Sequence, residues 1–247
     1  MNRFIQRWAP VALSFTLAAC GNNDDADPKI SVDNLNEGAY TVSTGNADAP
    51  TVGRDLAAAD GSRLLVIGDD NGVARNLYRR TGSGDWVAVP PVGQDTRIAL
   101  LRQDPLVVAT PTLASVAGHY VTTSPSGGAA SFSITTDGRI VADATSACRL
   151  TGTLGTGILP GTLKLELATS GCGELPTSST GVLSVDPDLA PASFRLIADD
   201  RSKVIDLRAF AECPPVRVAD VGSARLTRHF QARTHGAARE TRQHPCP

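Results

Sequence analysis

Aromatic residues are scarce in this chain of 247 residues, at 4%: two Trp, three Tyr and six Phe. A core organised around large rings is therefore excluded, and the interior must rest on Val, Leu, Ile and Ala. Long apolar runs are missing too. The best candidate, Trp8 to Ala19, has twelve residues and is interrupted by Pro10, whereas a bilayer core of about 30 Å needs about 20 residues in a helix. That segment does not read as a spanning helix. No Gly-x-Ser-x-Gly elbow, His-Glu-x-x-His pair or phosphate loop occurs, so the usual templates for acyl transfer, zinc hydrolysis and nucleotide binding are absent. There is no Cys-x-x-Cys, which removes thioredoxin-type chemistry and the common zinc spacings. No cofactor or metal site is expected.

Glycine and proline, in contrast, are plentiful, at 23 and 16 residues. They favour many short elements joined by turns. Long helical stripes are scarce, while Thr, Ser and Val are abundant. The expected fold is mostly β, an antiparallel barrel or sandwich preceded by a short N-terminal signal helix. The net charge of −2 hides an asymmetry. Between Cys20 and Pro214 there are 15 basic and 23 acidic residues, whereas residues 215–247 carry six arginines against Asp220 and Glu240. An acidic body gives no reason to expect a nucleic-acid partner.

The N-terminus is the most informative stretch. Arg3 and Arg7 precede the apolar segment, which has the length of a cleaved export signal, residues 1–19. It ends in Leu17-Ala18-Ala19-Cys20-Gly21. This pentapeptide resembles the lipobox of bacterial lipoproteins at every position. The resemblance implies a diacylglycerol thioether and an acylated amino group on Cys20, hence a membrane partner reached through lipid. Several acyl chains are enough for stable anchoring, where one is marginal. An Asp after the lipidated cysteine marks inner-membrane retention in that family. Gly21 stands there instead, which points to the outer membrane, with the body facing the periplasm. Residues 20–35, with Asn22, Asn23, Asp24, Asp25 and Asp27 at their start, read as a disordered tether.

The body, 36–214, shows a succession of strand candidates. Glu37 to Ser43 is the first, followed by a polar stretch to the Asp60-Gly61 turn. Arg63 to Ile67, Val73 to Arg80, Trp86 to Val89, Thr96 to Leu101 and Leu106 to Ala109 follow. Gly68-Asp69-Asp70-Asn71-Gly72 holds two carboxylates that could suit calcium, but Asn-Gly is also a standard hairpin pair and the rest of a calcium loop is missing. Further on come Ser131 to Thr135, Arg139 to Ala142, Cys148 to Gly152, Gly161 to Ala168, Gly181 to Val185, Ser193 to Ala198 and Val204 to Phe210. Leu163, Leu165 and Leu167 alternate with Thr162, Lys164 and Glu166, the pattern of a sheet with one buried and one wet face. An internal echo divides the body into halves, 36–112 and 113–214. Gly38-Ala39-Tyr40 and Gly118-His119-Tyr120 each open a strand and lie 80 positions apart, and each is followed by an Asp-Gly turn. Two related β half-units are expected, each covering the other's apolar face.

The run from Gly118-His119-Tyr120 through Ser131-Phe132-Ser133-Ile134-Thr135-Thr136-Asp137-Gly138, Cys148-Arg149-Leu150-Thr151-Gly152-Thr153 and Cys172 is similar to uncharacterised lipoproteins of Gram-negative bacteria. The likeness covers Asn36 to Phe210 loosely and Gly118 to Phe210 better. It implies the same address and a β-rich fold, and brings no catalytic residue.

Five cysteines are present. With Cys20 lipidated, Cys148, Cys172, Cys213 and Cys246 remain, and four cysteines allow three pairings. Export places them in an oxidising compartment. Cys148 and Cys172 flank a compact strand pair and are expected to bond, which leaves Cys213 and Cys246 as a second candidate pair. His119 is the only histidine of the body; as a base it would need a polar cleft, and a solvent-facing residue at a strand start is the plainer reading. The carboxylate pairs Asp69-Asp70 and Asp199-Asp200 sit in turns, where acids are common. The tail 215–247, with Arg225, Arg228, His229, Arg233, His235, Arg239 and Arg242, reads as a disordered basic extension. The expected function is that of a non-enzymatic, lipid-anchored envelope module, structural or meeting an envelope protein partner. The alternative is a barrel that binds a small apolar ligand.

Overall fold

The computed structural model describes residues 27–212. The expected signal segment, Cys20, Cys213, Cys246 and the basic tail lie outside the described residues. Sixteen strands run through the described chain: β1 (Ile30–Val32), β2 (Gly38–Asn46), β3 (Ala49–Ala57), β4 (Arg63–Gly68), β5 (Ala74–Arg80), β6 (Val87–Val89), β7 (Thr96–Ile98), β8 (Leu100–Leu106), β9 (Gly118–Thr123), β10 (Ala129–Ile134), β11 (Arg139–Ala142), β12 (Arg149–Thr156), β13 (Thr162–Ser170), β14 (Ser178–Ser184), β15 (Phe194–Asp199) and β16 (Val204–Ala211).

The eight strands from β9 to β16 form an antiparallel meander that closes into a barrel, with β16 returning to β9. The interior follows from strict alternation along the strands. Leu163, Leu183, Leu196 and Leu207 stand opposite one another in register across β13 to β16 and form one inward row. Leu150, Leu165 and Ile205 are fully buried beside them. Three of the chain's few rings close the space. Tyr120 meets Phe194 edge-on at 4.6 Å and Phe132 at 5.9 Å, and its hydroxyl donates to the carbonyl of Val116 at 3.0 Å. Outward positions such as Arg149, Thr151, Lys164 and Glu166 are exposed and polar. This polarity is the reverse of a lipid-facing barrel.

The first half is an open six-stranded sheet in the order β6-β5-β4-β3-β2-β8. One face packs on the outside of the barrel, where Leu56, Leu64, Val66 and Leu77 meet Val182 and Ile197. The other face carries a second small core with Val42, Leu65, Ile67 and Tyr78, capped by the parallel ribbon of β1 and β7. β4 is thus covered on both faces, and Arg63 to Ile67 are all buried. A run without alternation is what a strand in that position requires.

The internal echo has a structural counterpart. β2-β3-β4 and β9-β10-β11 are matching antiparallel meanders, and the last strand of each half, β8 or β16, pairs back onto the first. Gly38 (φ +148°) and Gly118 (φ +159°) each lie under the tyrosine two residues later; a Cβ at either position would stand 3.2–3.3 Å from that ring or its hydroxyl. Glycine is needed there so the ring can lie on the backbone. The halves differ in closure: the second is a complete barrel and the first stops as a sheet.

Three expectations are corrected. The tether assigned to 20–35 ends earlier, because Ile30–Val32 pairs with Thr96–Ile98 and buries Val32. The polar stretch after Ser43 is strand β3. Its Pro50, Gly53, Arg54 and Asp55 obscure any apolar pattern, yet Asp55 is fully buried against Arg63. Finally, β8 occupies Leu100–Leu106 in place of a strand at 106–109; Pro105 is tolerated there because β8 is an edge.

Candidate functional site

The seam between sheet and barrel holds Arg195 and Asp199, two of the four buried charged residues among those described. It is built from outward positions of β14, β15 and β16 that face β3 and β5. Val182 and Ile197 supply its apolar centre. Around them, two arginines of the sheet reach aspartates of the barrel, and an arginine–aspartate pair of the barrel reaches back to the β4–β5 turn. Arg79 of β5 grips Asp199 of β15 with Nε and Nη2 at 3.0 and 3.2 Å. Arg195 of β15 donates to Asp206 of β16 at 2.6 and 2.5 Å and to the carbonyl of Gly72 at 2.9 Å. The Ala74 N–H completes the knot by donating to Asp206 at 2.6 Å. Arg54 of β3 reaches Asp186 and Asp188 in the loop before β15, at 3.0 and 2.7 Å. Forked guanidinium–carboxylate pairs fix orientation as well as contact, so this seam has one register.

A second charged cluster lies in the sheet's other core. Arg63 binds the buried Asp55 carboxylate through a fork and donates to the Asp33 carbonyl at 2.9 Å. Burial pushes the Asp55 carboxyl above the usual carboxylate range, against the pull of Arg63. Trp86 is flanked by the guanidiniums of Arg63 and Arg80, each 5.2 Å from its ring.

Two openings flank the seam. The larger, about 400 Å³, lies between Val52, Gly53, Asp70, Asp186 and Leu189. The smaller, about 200 Å³, has an apolar floor of Leu64, Leu77, Val182 and Ile197, with the exposed Ile158 at its mouth and Arg79, Arg80 and Lys164 on its rim. A third cleft, about 610 Å³, runs outside the barrel along the loop that contains Cys172.

The residues singled out from sequence fall apart in space. Cys148 and Cys172 are bonded, with Cα atoms 4.4 Å apart, and tie the start of β12 to the loop after β13. His119 is exposed on the outer face of β9, opposite Ser133. Asp69-Asp70 form the β4–β5 turn. The Asp69 carboxylate accepts from the Val73 and Asn71 N–H groups at 3.0 and 2.9 Å, and these bonds, with that from Arg75, hold its pKa below the ordinary value. Asp200 likewise caps a turn, accepting from the Lys203 and Ser202 N–H groups at 2.7 and 2.8 Å. Asp199 has a different role, buried at the seam. Among the described residues, no group of three or more His, Cys, Asp or Glu side chains is arranged to hold a metal ion.

Sequence reasoning missed the seam, although one signal for it was present. Phe194 to Asp199 is buried at every position, and Leu196-Ile197-Ala198 breaks the alternation seen in β13. A barrel strand that is apolar on both faces must have its outer face covered. No family model matches the chain, and neither the curated proteins nor the solved structures compared with it contain a match.

Proposed function

We propose that the protein is a lipid-anchored lipoprotein of the bacterial outer membrane, held by Cys20 and facing the periplasm, whose body works as a non-catalytic interaction module. The Leu17 to Gly21 stretch supports the anchor. One observation carries the rest: the barrel interior is filled by side chains, with Leu150, Leu165, Leu183, Leu196 and Ile205 fully buried, while the three openings described above lie outside it. The surface that remains for function is the exterior. Its strand edges are blunted by proline: Pro105 lies in β8, Pro50 in the overhang of β3 beyond β4, and Pro90 just after β6. Edges of this kind resist strand addition, so a partner would be met by side-chain surfaces.

The alternative is a small apolar ligand. The barrel fold itself favours it, and the apolar groove at the seam offers a place outside the filled interior. Metabolic labelling with palmitate tests the anchor. The native chain should take up label and sediment with membranes, and Cys20→Ser should do neither. Persistent label in Cys20→Ser would refute the lipobox reading.

A further inference from the structure

We infer that the loop at residues 171–177 is a lid over one mouth of the barrel, latched by the Cys148–Cys172 disulfide and opened when a dithiol reduces it. The loop joins β13 to β14 without turning directly between them. Gly171 and Gly173 take positive φ, +68° and +66°, where glycine is favoured. A Cβ at Gly171 would lie 2.4 Å from the Ala147 carbonyl oxygen, just ahead of β12, and one at Gly173 would lie 3.0 Å from Ser126 Oγ. Ser126 belongs to the turn between β9 and β10, and β10 is three strands round the barrel from β13. The loop therefore crosses the mouth. Leu175 packs on the barrel core from that side. The chain returns to the rim where the Thr169 hydroxyl donates to the Pro176 carbonyl at 2.8 Å and the Thr169 N–H to the Thr177 carbonyl at 3.1 Å.

The middle of the lid is loosely held. Residues 173–175 make one backbone hydrogen bond among the described residues, from the Leu175 N–H to the Cys172 carbonyl at 3.5 Å. A segment with so few bonds opens ahead of the strands around it, and the disulfide is its main fastening. Two groups at this end of the barrel oppose closure. Thr122, near the end of β9, and Ser179, near the start of β14, are 1% and 4% exposed, and their hydroxyls have no hydrogen-bond partner. A buried hydroxyl without a partner is costly, and opening the lid hydrates it. Cys172 lines the cleft of about 610 Å³ outside the barrel, which admits the reductant. A thiolate of the dithiol attacks Cys172 Sγ and Cys148 leaves as thiolate. The reagent's second thiol then displaces Cys172 and closes the reagent's own disulfide, so an electron pair and two protons pass to the cysteines. Opening turns Leu175 to water and uncovers the apolar end of the barrel. The surface offered to a partner then depends on redox state.

The test uses the mature full-length protein and a glutamate-specific protease. Glu174 lies in the lid and Glu166 within β13, so cuts at the two sites, read by mass spectrometry, report lid opening and barrel unfolding separately. With dithiothreitol the cut after Glu174 should speed up about tenfold or more, while the cut after Glu166 stays as slow as before. The double variant Cys148→Ser, Cys172→Ser should be cut as fast without reductant, which separates this bond from any involving Cys213 or Cys246. Under reduction, Ser179→Ala and Thr122→Val should each slow the Glu174 cut severalfold, because no hydroxyl is then left to favour the open lid. Equal acceleration at Glu174 and Glu166, or no acceleration at Glu174, would overturn the lid. A Glu174 rate unchanged in both Ser179→Ala and Thr122→Val would overturn the part given to the hydroxyls.

Discussion

Replacing Arg195 by Met should loosen the joint between the halves, and the cost can be worked out from its contacts. Arg195 and Asp206 expose only 8% and 5% of their side chains. Methionine keeps most of the volume but removes the charge and two donors from Asp206 and one from the Gly72 carbonyl. Asp206 retains the Ala74 N–H and is left as a buried carboxylate with one partner. Breaking a buried pair on one side costs about 3–5 kcal/mol. Adding Asp206→Leu removes the orphaned charge. The remaining deficit is the Ala74 N–H, at a 5%-exposed residue, worth about 1–3 kcal/mol; Gly72 is exposed and its carbonyl can turn to water. The double variant should therefore be more stable than Arg195→Met alone by about 2 kcal/mol. Urea unfolding of the two variants and the native protein measures this. An Arg195→Met cost below about 1 kcal/mol, or a double variant less stable than the single one, would refute the argument that this knot is desolvated and mutually dependent.

Three further outcomes are expected. Replacing both Cys148 and Cys172 by Ala opens a loop with a sequence separation of 24 and should lower stability by about 3 kcal/mol, read as a shift of the urea midpoint that reducing agent reproduces in the native protein. Gly181→Ala places a Cβ 2.0 Å from the Ile197 carbonyl oxygen and 2.6 Å from the Ala198 Cα; backbone must move, so the melting temperature should fall clearly, whereas Gly93→Ala, with nothing within 4 Å, should be neutral. Acidification should destabilise the protein: bonds from the Val73 N–H to Asp69, from the Thr135 hydroxyl to Asp137, from the Thr145 N–H to Asp143 and from the Lys203 N–H to Asp200 depress those carboxyls. The stability they add is complete above their unfolded value near pH 4 and lost as pH falls through the lower folded values. Asp55 runs the other way, its raised value favouring the fold as it protonates. With Glu166, held low by Lys164, five depressed groups stand against one, so a urea midpoint that rose steadily from pH 5 to pH 2.5 would contradict this.

The parts of the fold that were legible share a cause. β13 alternates because one face looks into the barrel and the other into water, and period two then marks both the element and its orientation. The glycine–tyrosine pairs at 38/40 and 118/120 were legible because a ring lying on a strand needs glycine beneath it. β3 was illegible because its buried face is not apolar throughout: Asp55 sits in the core as half of an ion pair whose other half, Arg63, lies on the next strand. A one-dimensional pattern scores Asp55 as surface. β1 was hidden by shortness, since three residues show no period. The seam is a tertiary object. Its arginines and aspartates lie on four strands and one loop, separated by as many as 134 positions, and each looks like an ordinary surface charge until the outer face of β15 is seen to be covered.

We propose, above all, an acylated Cys20 that holds a solid-cored β body at a membrane. Mass spectrometry of the N-terminal peptide of the protein purified from membranes tests it most directly. A peptide that begins at Cys20 and carries a thioether-linked diacylglycerol and an acylated amino group is the predicted result. A mature chain that begins elsewhere, or begins at Cys20 with a free thiol, would contradict it.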